Sequence, residues 1–360
     1  MLKTMNRREV LYSITGGLAA ATLGCTGRIY STEKIKKSRL GIADFSFNIR
    51  LRAERTGQMK GNLGDPLNFL DHCHNIGAGG IQMNLGVRDQ AYARKIRQKA
   101  EEYDMFIEGS VFLPRDKSGV ERFDAAVRTA GQAGAGVVRT AIGGRRYEQF
   151  DRAEQFRAFA ERTGKSLQLA EPVVAEHRIR LAIENHKDWR IDQMLDMLRS
   201  ISSEYLGVCV DTGNSFALLE DSMAVVEAYA PYAFSVHLKD MALAEYEDGF
   251  LLADVPLGRG VLDLPKMIKI FLKANPRINF SLEMATRDPL QVPCLTEKYW
   301  ATFEDVPGSD LARTLRYVRA NASPKQILPK VNHLPMDKLV RIEEANIKQC
   351  LAYAKEHLDL

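Results

Sequence analysis

Four short stretches of the chain end in side chains that can carry charge: "RLAIENH" at 180–186, "LGVCVD" at 206–211, "AFSVHLKD" at 233–240 and "NFSLEM" at 279–284. A strand puts alternate side chains on opposite faces. Leu181 and Ile183 then oppose Ala182, Glu184 and His186, and Val208 and Val210 oppose Cys209 and Asp211. Phe234, Val236 and Leu238 oppose Ser235, His237 and Lys239, and Phe280, Leu282 and Met284 oppose Ser281 and Glu283. Each stretch has one apolar face and one face of small residues that finishes in an acid or an imidazole. Three carboxylates brought together without compensation would force some to stay protonated. A divalent cation removes that conflict, and Glu184, Asp211, His237 and Glu283 form an oxygen-rich donor set for it. That set favours Mn²⁺ first, or Mg²⁺ or Co²⁺, in six-coordinate geometry over a tetrahedral zinc cage. Four protein ligands leave about two positions for water or for adjacent substrate oxygens. Any one of these acids could instead cap the next helix, as Asp211 before "TGNS" could. Four ends in the same phase favour a shared site.

Such a site needs elements that bring the four ends to one place. Further strand candidates are "RLGIADFSF" at 39–47, "GGIQMNL" at 79–85, "MFIEGSVFL" at 105–113 and "GVVRTAIG" at 136–143. Amphipathic helical patterns such as "QAYARKIRQKAEEY" and "IDQMLDMLRSISS" separate the strands. Eight strands, each followed by a helix, predict a parallel sheet with helical crossovers. The reading is a single-domain α/β fold, a (β/α)8 TIM barrel over 39–320, with a C-terminal helical extension over 321–360. In such a barrel the C-terminal strand ends line the mouth where active sites are built. A doubly wound open sheet is disfavoured, because no glycine-rich phosphate fingerprint follows the first strand.

Composition narrows the class. A chain of 360 residues with 45% apolar and 27% charged content can bury a large core. A formal charge of only +4 offers no basic surface for nucleic acid. Residues 1–25 read as a twin-arginine type export signal: Arg7 and Arg8 precede a short Gly/Ala-rich apolar run that ends near Cys25. That run is too weakly apolar to span a bilayer. The expectation is a periplasmic protein with residues 26–38 as a linker; Cys25 is a candidate site for a lipid anchor, although Thr22 stands where a lipoprotein cleavage box carries a large apolar residue. The other cysteines, Cys73, Cys209, Cys294 and Cys350, lack any C-x-x-C spacing and read as core thiols, although export would permit a disulfide.

"AIENH", "VDTGN", "VHLKD" with the later "PLGRG", and "SLEM" together resemble the xylose isomerase-like barrel superfamily, the sugar phosphate isomerase/epimerase group, over roughly residues 39–320. The resemblance implies that Glu184, Asp211, His237 and Glu283 bind the metal, and that the two glutamates also move protons on either side of a ketose carbon. The expected function is a divalent-metal-dependent isomerase or epimerase of a ketose or related sugar, working through a metal-stabilised enediolate. The alternative is a lyase or hydratase that β-eliminates from 3-keto-sugars or 3-keto-glycosides. A non-catalytic sugar-binding barrel is the alternative of another class. DNA repair enzymes of the same fold need a histidine-rich multinuclear site, which 7 histidines in all, with no second one in the expected loop "MALAEYEDGF" after His237, do not supply.

Lys239 joins the catalytic set as a cation for a developing oxyanion, or is a plain ion-pair partner. His186, Trp189, Asn214, Arg259 and Arg139 are the candidate substrate contacts: His186 for hydroxyls or as a donor behind the site, Trp189 for stacking on a sugar ring or for packing on a helix, the arginines for hydroxyl or acid groups or for structural salt bridges. Asn214 stands where many ketose epimerases of the group carry a histidine, and "IQMNLG" stands where a glutamate is common; both depart from the epimerase pattern. The expected partner is a small carbohydrate, and a homo-oligomer is expected.

Overall fold

The computed structural model describes residues 39–322 and 328–360; the export segment, Cys25 and the linker lie outside them. The strands among the described residues are β1 (Leu40–Ala43), β2 (Gly80–Met83), β3 (Phe106–Ser110), β4 (Val137–Thr140), β5 (Arg180–Glu184), β6 (Leu206–Asp211), β7 (Ala233–Leu238), β8 (Asp240–Tyr246), β9 (Gly249–Val255), β10 (Asn279–Leu282) and β11 (Leu290–Val292). Eight of them close a parallel barrel in the order β1-β10-β7-β6-β5-β4-β3-β2. The eight strand candidates each contain one of these strands, so the (β/α)8 reading holds.

The alternation read from sequence explains the closure. Ile42, Ile81, Val138, Leu181, Ile183, Val208, Val210, Val236, Leu238, Phe280 and Leu282 face the helices and are completely buried. Burying one such side chain contributes about 1.5–3 kcal/mol, so the outward faces supply much of the driving force. Phe234 is the exception to the expected facing. The β6–β7 register shifts at Val208/Cys209, pairing Cys209 with Ser235 and leaving one residue extra on β7. The bulge turns Phe234 away from Val236 and packs it with Val137, Ala182 and Cys209. Gly207 permits this approach, because a Cβ there would lie 2.6 Å from the Phe234 ring.

Helices start where short acids cap them. Asp65, Asp89 and Asp221 accept backbone N–H groups at the starts of Pro66–Asn75, Gln90–Glu102 and Ser222–Tyr229. The stretch after β7 was expected to be a loop; it is a hairpin. β8 and β9 pair antiparallel, and β11 adds to β9. Met241, Leu243, Phe250 and Leu252 pack there under Tyr299 and Val318. The C-terminal extension is present and helical, and it belongs to the main core: Ile347 and Cys350 of the helix Met336–Tyr353 are buried in it. Cys73, Cys209, Cys294 and Cys350 are buried free thiols. No described helix is long and apolar enough to cross a membrane.

Candidate metal centre

Glu184 ends β5, Asp211 ends β6, His237 is the fifth residue of β7, and Glu283 directly follows β10. Register aligns them across neighbouring strands, with Asp211 paired to His237 and Ser281 to His237. One ligand atom from each of the four lies within 4.8 Å of the others, and all four residues are buried. Asn185 and the turn after β6 lock the Asp211 end of that strand. Asn185 accepts the Asp211 N–H at 2.7 Å and donates to the Asp211 carbonyl at 3.1 Å. Asp211 Oδ1 accepts from the N–H groups of Gly213 (2.8 Å) and Asn214 (2.9 Å). Asp211 therefore caps the following turn with one oxygen and offers the other, Oδ2, to the cluster.

Two cations answer the acids. Lys239 Nζ lies 2.6 Å from Glu283 Oε2, 3.0 Å from Asp211 Oδ2 and 3.8 Å from Asp254 Oδ1. Arg139 pairs with Glu184 Oε2. Burial alone would raise the Glu184 carboxyl, but the Arg139 guanidinium outweighs it and holds it down at about 2. Burial also works against Glu283, and Lys239 and His237 together hold it well below the carboxylate range. Asp211 goes the other way: burial raises it despite Lys239. Three acids thus face the permanent cations Lys239 and Arg139, and His237, the third partner, carries charge only when protonated. His237 Nδ1 is buried with no hydrogen bond, and Asp211 Oδ2, though ion-paired, accepts none of good geometry. A divalent cation fits a set of three acids with those bare donor atoms.

The substrate candidates divide. His186 is half-buried, with Nδ1 3.4 Å from the Gly144 carbonyl, and burial together with Lys187 lowers its imidazole to about 4. Asn214 is wired into the cluster: its Nδ2 donates to Glu184 Oε1 at 3.3 Å, and its Oδ1 accepts from Lys187 and from Lys239, the latter at 3.5 Å. Trp189 takes the packing role. Its indole is 4% exposed and packs at 5.4 and 5.6 Å ring separation against Phe156 and Phe159. Core aromatics occupy the ring that was expected to meet a sugar. Arg259 lies exposed in the turn after β9. The "PLGRG" turn serves Asp240 instead, whose Oδ2 accepts the Gly258 and Gly260 N–H groups at 2.9 Å each. Gly258 adopts φ 79°, which suits glycine.

Several participants were not foreseen. Asp254 reaches the site from the unexpected hairpin and pairs with Arg287 at 2.9 Å as well as with Lys239. Lys187 is buried beside Asn214. Gln82 and Glu108 lie inside the barrel beneath His237. A polar residue in phase within an apolar strand, as in "GIQM" and "FIEGS", was the available signal for the last two.

The sequence model for the xylose isomerase-like TIM barrel matches residues 70–305. The chain belongs to that family. A stretch of 133 residues, 36% of this chain and 48% of the relative, is 29% identical to the 3-oxo-isoapionate decarboxylase of Pectobacterium atrosepticum. The chain thus spans about half the length of that curated relative. Among solved structures it is similar to a sugar phosphate isomerase/epimerase from Parabacteroides distasonis, with a TM-score of 0.52, 10% identity, and 91% of this chain and 97% of the other covered. It is also similar to the apo form of a 3-keto-D-glucoside 4-epimerase from E. coli, with a TM-score of 0.51, 11% identity, and 79% and 100% covered. At these identities the likeness to solved structures is one of fold. The family's barrel and its mouth are the frame on which this cluster is built.

Proposed function

We propose that the protein is a divalent-metal-dependent isomerase or epimerase of keto-sugars. The observation that carries the reading is the convergence of Glu184, Asp211, His237 and Glu283 donor atoms within 4.8 Å. These four residues would hold the ion, Mn²⁺ by preference, with Mg²⁺ or Co²⁺ as close substitutes. When bound, such an ion supplies Lewis-acid polarisation of a carbonyl and its neighbouring hydroxyl. Glu184 and Glu283 move the proton: one carboxylate takes it from carbon and the other returns it. Arg139 and Lys239 keep both carboxylates ionised, the form a base requires. Return to the same carbon from the opposite side gives epimerisation, and return to the neighbouring carbon gives isomerisation. Asn214 orients Glu184, and His186 on the open side meets substrate hydroxyls.

A second reading is kept for one reason: the partial relative acts on a 3-oxo sugar acid. A 3-keto-sugar or 3-keto-glycoside in this site would lose a β-substituent after the same proton abstraction. We include export by the twin-arginine type segment, and lipid attachment at Cys25, in the proposal. Incubation of Mn²⁺-loaded protein with ketoses and 3-keto-glycosides in D₂O tests both readings. Deuterium uptake at carbon without cleavage supports the isomerase or epimerase, and aglycone release supports the lyase. Tight sugar binding with neither outcome refutes both and leaves a binding module.

A further inference from the structure

Beneath the four donor residues the barrel interior holds a buried polar chain. Gln82 and Glu108 are register partners on β2 and β3, and both are buried, at 1% and 0% exposure. Glu108 Oε2 accepts from Ser235 Oγ at 2.6 Å and from Gln82 Nε2 at 2.9 Å, and Glu108 Oε1 accepts from Asn279 Nδ2 at 3.0 Å. Gln82 Oε1 lies 2.6 Å from His237 Nε2. On the other side of the imidazole, His237 Nδ1 has no hydrogen bond and lies 3.5 Å from Glu283 Oε2 and 3.8 Å from Glu184 Oε2.

We propose that Gln82 and Glu108 are positioning residues that hold His237 with its proton on Nε2, so that Nδ1 is the nitrogen offered to a divalent cation. The logic runs along the chain one group at a time. An ionised carboxylate only accepts, so Glu108 draws the amide N–H₂ of Gln82 toward itself. That leaves the Gln82 carbonyl facing His237, and a carbonyl also only accepts. His237 Nε2 must therefore donate. A neutral imidazole that donates through one nitrogen has its other lone pair free. Flipping Gln82 would set its carbonyl against the Glu108 carboxylate, two acceptors facing each other in a buried site, a costly arrangement. Metal-binding histidines are commonly oriented by a hydrogen bond to the other ring nitrogen. Here the partner is a neutral amide that passes on the orientation of a carboxylate one residue further away. Asn279 and Ser235 hold that carboxylate in turn.

This assignment rests on the metal-centre reading, and the test separates the two. In ¹⁵N-histidine-labelled, metal-free protein, ¹H–¹⁵N correlation spectra should find His237 protonated at Nε2. A bare Nε2 would overturn the assignment without reference to any ion. Gln82→Met removes the acceptor at similar side-chain length, and Mn²⁺ affinity by calorimetry should fall about 10–100-fold. Exchanging the two residues, Gln82→Glu with Glu108→Gln, keeps an acceptor toward Nε2 and a donor–acceptor pair between positions 82 and 108, and should bind Mn²⁺ more tightly than Gln82→Met does. Unchanged Mn²⁺ affinity in a folded Gln82→Met protein would overturn the positioning role. If Gln82→Met fails to fold, the wild-type spectrum still decides. A wild-type chain with Nε2 protonated that binds no Mn²⁺ would overturn the metal-centre reading and support the tautomer assignment.

Discussion

Lys239 offers the most informative perturbation, because its ammonium contacts the same oxygens that would meet a metal. Its Nζ is 2.6 Å from Glu283 Oε2 and 3.0 Å from Asp211 Oδ2. At an effective dielectric near 20, each contact is worth about 6 kcal/mol of gross attraction. Desolvation of the partners offsets much of that, and removing one member of a buried ion set costs about 3–5 kcal/mol net. Lys239→Met should therefore destabilise the metal-free protein by that amount. With an unfolding entropy of about 2.1 cal/mol/K per residue, a chain of this length would melt about 4–7 °C lower. The substitution also removes a competitor for the two oxygens. Saturating Mn²⁺ should then stabilise Lys239→Met more than it stabilises wild type, since binding to the folded state alone adds RT ln(1 + [L]/Kd). Differential scanning calorimetry of both proteins, with and without Mn²⁺, reads both effects. Equal Mn²⁺ increments in the two proteins, or an unchanged metal-free melting temperature, would refute the picture of an ammonium and an ion sharing the same acids.

Other outcomes follow from single contacts. Glu283→Gln should abolish solvent deuterium exchange into substrate, and full exchange in that variant would remove Glu283 from the mechanism. Trp189→Ala should lower stability by about 3–5 kcal/mol, the cost of deleting a large core aromatic, while leaving KM for the sugar near wild type; a large rise in KM with unchanged stability would restore Trp189 to the substrate. Glu343 accepts the N–H groups of Ile49 and Arg50 at 2.7 and 3.0 Å, and burial pushes its carboxyl up to about 7 from 4.5. An acid raised on folding contributes stability that is whole below its unfolded value and is lost as pH rises through its folded value. Unfolding free energy should thus fall between pH 5 and 8 through this group, and Glu343→Gln should flatten that part of the profile in denaturant titrations.

The barrel was legible because its strands obey one rule: outward positions are aliphatic or aromatic, and inward positions are small and then ionisable. Glu184, Asp211, His237 and Glu283 could be aligned because each sits in the same phase at the same end. Residues that depend on pairing between distant strands were not legible in the same way. Gln82 and Glu108 become a linked pair only when β2 and β3 lie in register. Asp254 becomes a partner of Lys239 only when the hairpin β8–β9 folds back, and its sequence "MALAEYEDGF" mixes apolar and charged residues as an exposed loop would. The bulge that redirects Phe234 leaves no mark in the alternation itself. Trp189 stayed open between substrate and core because it follows a strand that feeds the mouth, whereas Phe156 and Phe159 of the helix Ala153–Glu176 come from elsewhere to enclose it.

The central claim is that one ion joins the four strand ends. Crystals grown with Mn²⁺ and measured at a wavelength where manganese scatters anomalously test it most directly. The account predicts a single strong peak bonded to Glu184, Asp211, His237 Nδ1 and Glu283. An empty cluster in crystals soaked to saturation, or a peak bonded to His237 through Nε2, would contradict it.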